Sequence, residues 1–193
     1  MDTFQQLDLT KKYTYTDYLT WKFEERVELL KGRVVQMSPA PNTKHQRIVN
    51  DVLFEINLHL RKKICSVFPA PFDVRLPVAK KDGQITTVVQ PDIVVVCDKT
   101  KLDKQGCNGA PDIVMEVLSP GNTKKEMKDK LEIYQGAGIP EYWLIDPDRE
   151  YILVYSLTED GKYISSLPYV AGDKINSQAL KGFSLRVQEL FEG

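Results

Sequence analysis

The stretch that decides the fold is GAPDIVMEVLSPGNTKKEMKDKLEIYQGAGIPEYWLIDP, which runs from Gly109 to Pro147. Its periodicity predicts an apolar strand, a turn, a lysine-bearing amphipathic helix, a glycine turn and a second apolar strand. The first strand contains one acid, Glu116, in a run of residues that otherwise has the pattern of a buried strand. Burying a carboxylate is costly unless it is paired, so we expect a metal ion or a lysine beside Glu116.

The helix of this stretch indicates which lysine that is. Thr123 and Glu126 form a capping-box pattern, with Asn122 as an alternative cap, so the helix is predicted to begin there. At 100° per residue, an apolar stripe contains Met127, Leu131, Tyr134 and Gly138. Lys130 lies on the flank of this stripe and the other interior lysines lie opposite, so Lys130 is predicted to face Glu116. A snorkelling lysine beside a chance buried acid is the alternative.

The composition favours one globular domain. The chain has 193 residues, of which 42% are hydrophobic, and this is ample for one domain over residues 1–193. It has no apolar run long enough to span a bilayer, and its first residues, MDTFQQLDLTKKYTYTDYL, have no secretion-type apolar core. We therefore expect a cytoplasmic protein without a membrane partner.

The three cysteines are Cys65, Cys97 and Cys107. They are odd in number, far apart and without CxxC spacing, which predicts reduced thiols rather than a disulfide framework or a zinc site. Cys97 and Cys107 flank one loop, and contact between them is the alternative.

The charge balance is nearly neutral. Lys plus Arg is 26 and Asp plus Glu is 27, for a net charge of −1. This is not the basic footprint that is typical of constitutive nucleic-acid binders. Basic clusters such as Arg61-Lys62-Lys63 are interpreted as solvated faces.

Periodicity also predicts the remaining elements. The predicted long helix begins at a second capping-box pattern, Thr43 with Gln46, and ends near Arg61. The others are a helix at 15–21, a hairpin of 26–30 and 33–37 that ends at 38–41, extended segments between 66 and 96 with a turn at 81–83, a hairpin of 151–156 and 163–166, and a helix at 185–191.

Two residues of the N-terminal half are ambiguous on pattern alone. Glu28 lies on the opposite strand face from Val27 and Leu29, so the solvent side is its expected place. His45 lies in the first turn of the long helix and faces either a site or water. His59 is about 20 Å further along that helix, at ~1.5 Å per residue, so the pair cannot form one zinc site.

Two Pro-Asp pairs compete as partners of Glu116. Asp112 lies four residues before Glu116 on the same strand, hence ~13 Å away, too far to share a metal ion. The strand that begins at Asp92 is joined to the Asp112 strand by the segment 97–110, which has no crossover helix. Such a connection favours antiparallel neighbours, which would bring Asp92 opposite Glu116.

These groups together predict a hard-cation site. Carboxylates of Asp92 and Glu116 with the main-chain carbonyl of Val117 suit Mg²⁺ or Mn²⁺. Lys130 nearby would orient or deprotonate a water, or stabilise negative charge on a phosphate.

The sequence resembles a known family over nearly its whole length. The matching stretches are YTYTDYLTW, ERVELLKGRVVQMSPAPNTKHQ, VVQPDIVVVCD and the stretch quoted first, with the hairpin that follows it. They resemble the Uma-two family of restriction-endonuclease-like proteins, in the PD-(D/E)XK nuclease superfamily. The resemblance implies an α/β (α+β) restriction-endonuclease-like core: a central mixed β-sheet flanked by helices, with N- and C-terminal hairpins.

The resemblance also implies roles for individual residues. Asp92 and Glu116 match the metal ligands. The lysine usual two positions after the acid is Leu118 here, and the family pattern places it instead on the next helix, at Lys130. Glu28 matches a third acid of the family, and His45 matches a recurrent position more weakly. Glu126 stands where the family usually has Asp.

The leading hypothesis is a Mg²⁺-dependent endonuclease that acts on nucleic acid, and specifically on DNA. A homodimer is expected, because cutting both strands requires two centres. The alternative is a catalytically silent nucleic-acid-binding or protein-interaction module on the same fold, and a third hypothesis is a hydrolase of smaller phosphate esters.

Overall fold

Two six-stranded β-sheets and one two-stranded sheet account for the strands in the described part of the chain. The computed structural model describes residues 4–37, 42–77, 84–121 and 123–192. The helices are α1 (Tyr15–Tyr18), α2 (Thr43–Leu60), α3 (Lys124–Ala137) and α4 (Val187–Phe191), with short 3-10 helices at Phe4–Gln6 and Lys99–Lys101. The strands are β1 (Val27–Leu30), β2 (Arg33–Gln36), β3 (Ser66–Pro69), β4 (Val74–Arg75), β5 (Val88–Val89), β6 (Ile93–Val96), β7 (Leu102–Asp103), β8 (Gly106–Asn108), β9 (Ile113–Val117), β10 (Glu141–Asp146), β11 (Tyr151–Leu157), β12 (Tyr163–Ser165), β13 (Lys174–Asn176) and β14 (Ser184–Arg186).

The central sheet is mixed, and its strand order is β12-β11-β10-β9-β6-β3. Strands β9 and β10 are parallel and are joined by α3, whereas the other neighbours in this sheet are antiparallel. In the pairing of β6 with β9, Ile93 lies opposite Met115 and Val95 lies opposite Ile113. The predicted antiparallel pairing of these two strands is therefore confirmed.

The second sheet, with order β2-β1-β5-β4-β8-β7, was not predicted as a unit. It contains the predicted β1–β2 hairpin, whose turn residues Lys31 and Gly32 have φ values of 52° and 87°. Positive φ at both central positions is typical of a type I′ turn. The segment 97–110, expected to be a loop, contains a 3-10 helix and the β7–β8 hairpin, and β8 pairs in parallel with β4.

The two faces of the central sheet pack against different helices. In β6, Ile93 and Val95 belong to the cluster that contains the apolar stripe of α2, together with α4 and the β13–β14 hairpin. Val94 and Val96 belong instead to the cluster that contains Ile133 and Tyr134 of α3. The N-terminus of α2 and the middle of α3 can thus both reach the end of the sheet where β6 begins.

The helix caps agree in part with the sequence patterns. The Thr123 side chain accepts a hydrogen bond from the backbone N–H of Glu126, and Gly138, at φ 77°, ends α3. The cap of α2 is Asn42 rather than Thr43, and α1 ends at Tyr18 instead of continuing to Trp21. The alternative cap Asn122, the turn at 81–83 and the strand break at 38–41 lie outside the described residues. None of the helices in the described ranges is long and apolar enough to cross a bilayer.

The expectation of three reduced thiols was wrong. Cys65 and Cys97 form a disulfide, with their Cα atoms 3.9 Å apart. The pairing of β3 with β6 explains it, because Ser66 lies opposite Val96 and the flanking residues 65 and 97 are therefore cross-strand neighbours. Cys107 is a free, buried thiol. The alternative bond between Cys97 and Cys107 therefore does not form, because Cys97 is bonded to Cys65.

Candidate active site

Five of the predicted site residues line one pocket of about 330 Å³: Glu28, His45, Asp92, Glu116 and Lys130. Val117 and Glu126 line it as well. The pocket lies where β6 begins and β9 ends, between the N-terminus of α2 and the middle of α3. All seven residues singled out from the sequence are therefore brought together, although they come from four separate elements and one loop.

Asp92 directly precedes β6 and Glu116 lies in β9, and continuing the antiparallel pairing of Ile93 with Met115 by one residue places the two acids opposite each other. Asp92 Oδ2 accepts a hydrogen bond of 2.8 Å from the backbone N–H of Val117 and lies 3.3 Å from His45 Nε2. The carboxylates are thus neighbours at the same end of the sheet. Asp112 instead accepts the backbone N–H of Cys97 at 2.6 Å, which is a structural contact outside the pocket.

Lys130 reaches the pocket from α3, as the helix pattern predicted. Its Nζ donates to Glu116 Oε1 at 2.9 Å and lies 3.2 Å from Glu28 Oε1. The side chain is only 9% exposed. The ammonium therefore lies between two carboxylates instead of extending to water.

Glu28 is buried, so the solvent side expected from strand alternation alone was wrong, and Glu28 lies beside the other acids, where the family resemblance implies it. Its Oε1 accepts the backbone N–H of Gln90 at 2.8 Å in addition to its contact with Lys130. Strand alternation placed Glu28 on the opposite face of β1 from Val27 and Leu29, but it did not show that other residues cover that face. β1 lies between β2 and β5 within the second sheet, and all four of its residues are buried.

Two partners of the acids were missed by the sequence reasoning. Tyr134 donates its hydroxyl to Glu116 Oε1 at 2.5 Å, and Gln90 supplies the N–H that Glu28 accepts. A signal for Tyr134 was present, because it lies one helical turn after Lys130 on the same stripe. No pattern pointed to Gln90, because its contact with Glu28 is made by the backbone.

Burial and charge shift the protonation of the central pair. Burial raises the pKa of Glu116 to about 7, with the Lys130 charge opposing this and the charges of Asp92 and Glu28 adding to it. Burial alone would lower the pKa of Lys130, but Glu116 and Glu28 raise it overall above its ordinary value. Lys130 is therefore an ammonium here, which suits it to donate hydrogen bonds and stabilise charge rather than to deprotonate a water.

The chemistry of the pocket fits a hard divalent cation. Three carboxylates line the pocket with one ammonium, which contacts only Glu116 and Glu28, and no described residue donates a hydrogen bond to Asp92 Oδ1 or Glu116 Oε2. Within the described residues, no group of three or more His, Cys, Asp or Glu side chains could hold a metal together. Two carboxylates, a main-chain carbonyl and waters are nevertheless a normal ligand set for Mg²⁺. Glu28 is engaged with Lys130 and Gln90, so it is not a third ligand in this arrangement.

The sequence matches the family described as "Putative restriction endonuclease", Uma2, over residues 15–188. The chain belongs to the Uma2 family. This confirms the resemblance drawn from the sequence motifs.

A solved structure described as "a putative nuclease belonging to DUF820 from Anabaena variabilis ATCC 29413" has a similar fold, with a TM-score of 0.72. It is 21% identical and the match covers 93% of this chain and 98% of that one. No curated protein matches the sequence. The predicted mixed α/β class is confirmed, and Uma2 membership together with this fold supports a nuclease. Restriction-endonuclease-like families generally use divalent metals.

Proposed function

We propose that this protein is a Mg²⁺- or Mn²⁺-dependent endonuclease that hydrolyses phosphodiester bonds of DNA. The observation that carries the proposal is the convergence of Asp92, Glu116 and Lys130 in one pocket, with Lys130 Nζ 2.9 Å from Glu116 Oε1. A partly buried acid pair beside a buried lysine is costly for stability, and such clusters concentrate at functional sites. Membership of a nuclease-type family supports the same conclusion.

Each residue of the pocket has a distinct task in this proposal. Asp92, Glu116 and the carbonyl of Val117 would hold the cation, which would supply polarisation of the phosphate and a lowered pKa of bound water. Lys130, as an ammonium, stabilises the negative charge that develops on the phosphate. Glu28 fixes the position of Lys130, since its Oε1 lies 3.2 Å from Nζ.

Two further residues orient the ligands. His45 Nε2 lies 3.3 Å from Asp92 Oδ2, and Val117 N–H donates to the same oxygen, so this carboxylate has a fixed direction. Tyr134 does the same for Glu116. Removing such supporting contacts commonly lowers metal affinity.

Incubation with plasmid, single-stranded DNA and RNA in Mg²⁺ or Mn²⁺ tests the proposal. We expect cleavage of DNA that is lost in Asp92→Asn. The matched control is Asp112→Asn, which changes the other Pro-Asp pair and leaves the pocket intact. Cleavage that persists in Asp92→Asn at the rate of the Asp112→Asn control would contradict the assignment.

Calorimetric titration with Mn²⁺ separates the enzyme from a silent module on the same fold. The enzyme binds the ion through Asp92 and Glu116, whereas a scaffold that retains only the fold has no need of it. The homodimer, the cytoplasmic location and the single domain stay predictions from the sequence.

A further inference from the structure

A second, larger cavity of about 1010 Å³ adjoins the acid pocket. It lies between the β1–β2 hairpin and the N-terminal part of α3, and we refer to it as the entry groove. The residues that line both cavities are Arg26, Val35, Gln36, Met37 and Glu126. The entry groove is therefore continuous with the proposed catalytic site.

The entry groove combines a basic rim with an apolar floor. Five cationic side chains line it against three acids, Glu25, Glu126 and Asp129, although the chain as a whole is slightly acidic. Leu30, Val35 and Ile133 supply apolar surface. The cationic residues are Lys12, Arg26, Lys31, Arg33 and Lys125. Lys31 is paired with Glu132, and the other four cationic side chains still outnumber the three acids that line the groove.

Arg26 lies at the junction of the two cavities and is held there by one neutral partner, Gln90. Its Nε and Nη2 donate to Gln90 Oε1 at 3.2 and 2.8 Å. Gln90 is in turn fixed by Asp73 Oδ1, which accepts from Gln90 Nε2 at 2.8 Å. Among the described residues, no carboxylate lies within 4 Å of the Arg26 guanidinium. An exposed arginine with a fixed position and no carboxylate within ion-pair distance is well suited to bind a phosphate.

We propose that the entry groove holds a single strand of DNA and that Arg26 binds the phosphate adjacent to the one being cleaved. This inference rests on the proposed nuclease function. The cationic rim is complementary in charge to the phosphates of one strand. The apolar floor is suited to contact the faces of unpaired bases, whereas in a duplex those faces are stacked inside the helix. The acids are also recessed, with side chains 2–22% exposed, so a flexible strand reaches them more readily than a stiff duplex.

Fluorescence anisotropy with a short labelled DNA strand in EDTA, where no cleavage occurs, measures this binding directly. We expect Arg26→Gln to weaken binding about fivefold and to reduce the slope of log K against log salt by ~0.7, the value for one phosphate contact on a single strand. Gln90→Leu should give an intermediate loss, because Arg26 keeps its charge but loses its anchor. Arg33→Gln, on the exposed rim, should weaken binding about twofold.

Arg61→Gln is the matched control. Arg61 is exposed and follows the last residue of α2, roughly 24 Å from His45 at 1.5 Å per residue. Its substitution should leave both affinity and salt slope unchanged. Equal binding by Arg26→Gln and Arg61→Gln overturns the inference, as does a duplex or RNA strand that binds as tightly as the DNA strand.

The two proposals fail in distinguishable ways. Arg26-dependent binding without cleavage in Mn²⁺ would leave the entry groove assigned as a binding site for a DNA strand, and would overturn the nuclease together with the position of Arg26 beside a cleaved phosphate. Normal Mn²⁺-dependent cleavage of single-stranded DNA by Arg26→Gln, with unchanged affinity, would overturn the entry groove and leave the nuclease intact.

Discussion

Glu116 and Glu141 are buried acids on adjacent parallel strands, and their surroundings are opposite in kind. Glu141 is 1% exposed and accepts hydrogen bonds from Trp143 Nε1 at 2.5 Å and from the backbone N–H groups of Gln178 and Ala179 at 2.7 and 3.0 Å. All its partners are neutral and fixed. Glu141 is the first residue of β10, so these hydrogen bonds connect the start of that strand to the turn at residues 177–180.

Glu116 lies in a pocket instead of a closed core. Its partners are an ammonium and a phenol, and two further carboxylates raise its pKa in addition to burial. The comparison teaches that burial alone does not mark a functional acid. The carboxylate of Glu141 is satisfied by neutral donors alone, whereas Glu116 shares its pocket with Asp92 and Glu28 and only one ammonium, so the pocket as a whole retains negative charge that a cation can neutralise.

Glu116→Gln should have the largest effect, and on function alone. We expect Mn²⁺-dependent cleavage to fall on the order of 10³-fold, because a ligand and its charge are lost. The metal-free variant should melt no lower than the wild type at neutral pH, since a repelling buried charge is removed. Cleavage assays and thermal melts check both. A strong loss of stability with residual activity would place Glu116 in the same class as Glu141.

Lys130→Met should come next, with cleavage reduced on the order of 10²-fold. The ammonium is close to both Glu116 and Glu28, so its removal leaves negative charge uncompensated and lowers metal-free stability. Mn²⁺ affinity, measured by calorimetry, should hold or rise because a competing cation is gone. Loss of Mn²⁺ binding in a folded Lys130→Met protein would show that the lysine supports the ligands rather than the chemistry.

Glu141→Ala should show the reverse profile. Three donors that now bond to this carboxylate would be left buried and unpaired, which we expect to cost about 3 kcal/mol of unfolding free energy. Below its melting temperature the variant should cleave at the wild-type rate. Denaturant unfolding gives the first value and a cleavage assay the second. A folded Glu141→Ala protein without activity would remove the distinction between the two acids.

The sequence predicted the parts of this picture that depend on local pattern. The α3 stripe placed Lys130, and the short connection between β6 and β9 placed Asp92 beside Glu116. It did not predict the second sheet, because strands of two to four residues that pair across long separations leave no local periodicity. The burial of Glu28 depends on the pairing of β1 with β5 in the second sheet, and the Cys65–Cys97 bond depends on the pairing of β3 with β6 in the central sheet. Local pattern predicted neither, although the family resemblance already implied Glu28 as a third acid.

The raised pKa of Glu116 predicts a pH dependence of stability with a definite sign. The pKa rises from an ordinary value of 4.5 to about 7 on folding, so the folded state binds the extra proton between these values. Metal-free stability should therefore fall as the pH rises from about 4.5 to about 7, by roughly 2 kcal/mol in all. Melts across this range test it, and saturating Mn²⁺ should reverse the trend. The slope should vanish in Glu116→Gln, and a slope that persists there belongs to another group.

Tyr134→Phe should give the smallest effect, because it changes a ligand's support and leaves the ligand in place. Tyr134 is fully buried and donates to Glu116 Oε1 at 2.5 Å. Without this donor we expect Mn²⁺ affinity to fall about tenfold, the lower end for residues that orient a ligand. Tyr142→Phe is the matched control, since Tyr142 packs against Tyr134 with ring centroids 5.0 Å apart and its hydroxyl bonds to no described residue. If calorimetry gives both variants the same Mn²⁺ affinity, the phenol is a packing group, and Glu116 owes its orientation to Lys130 alone.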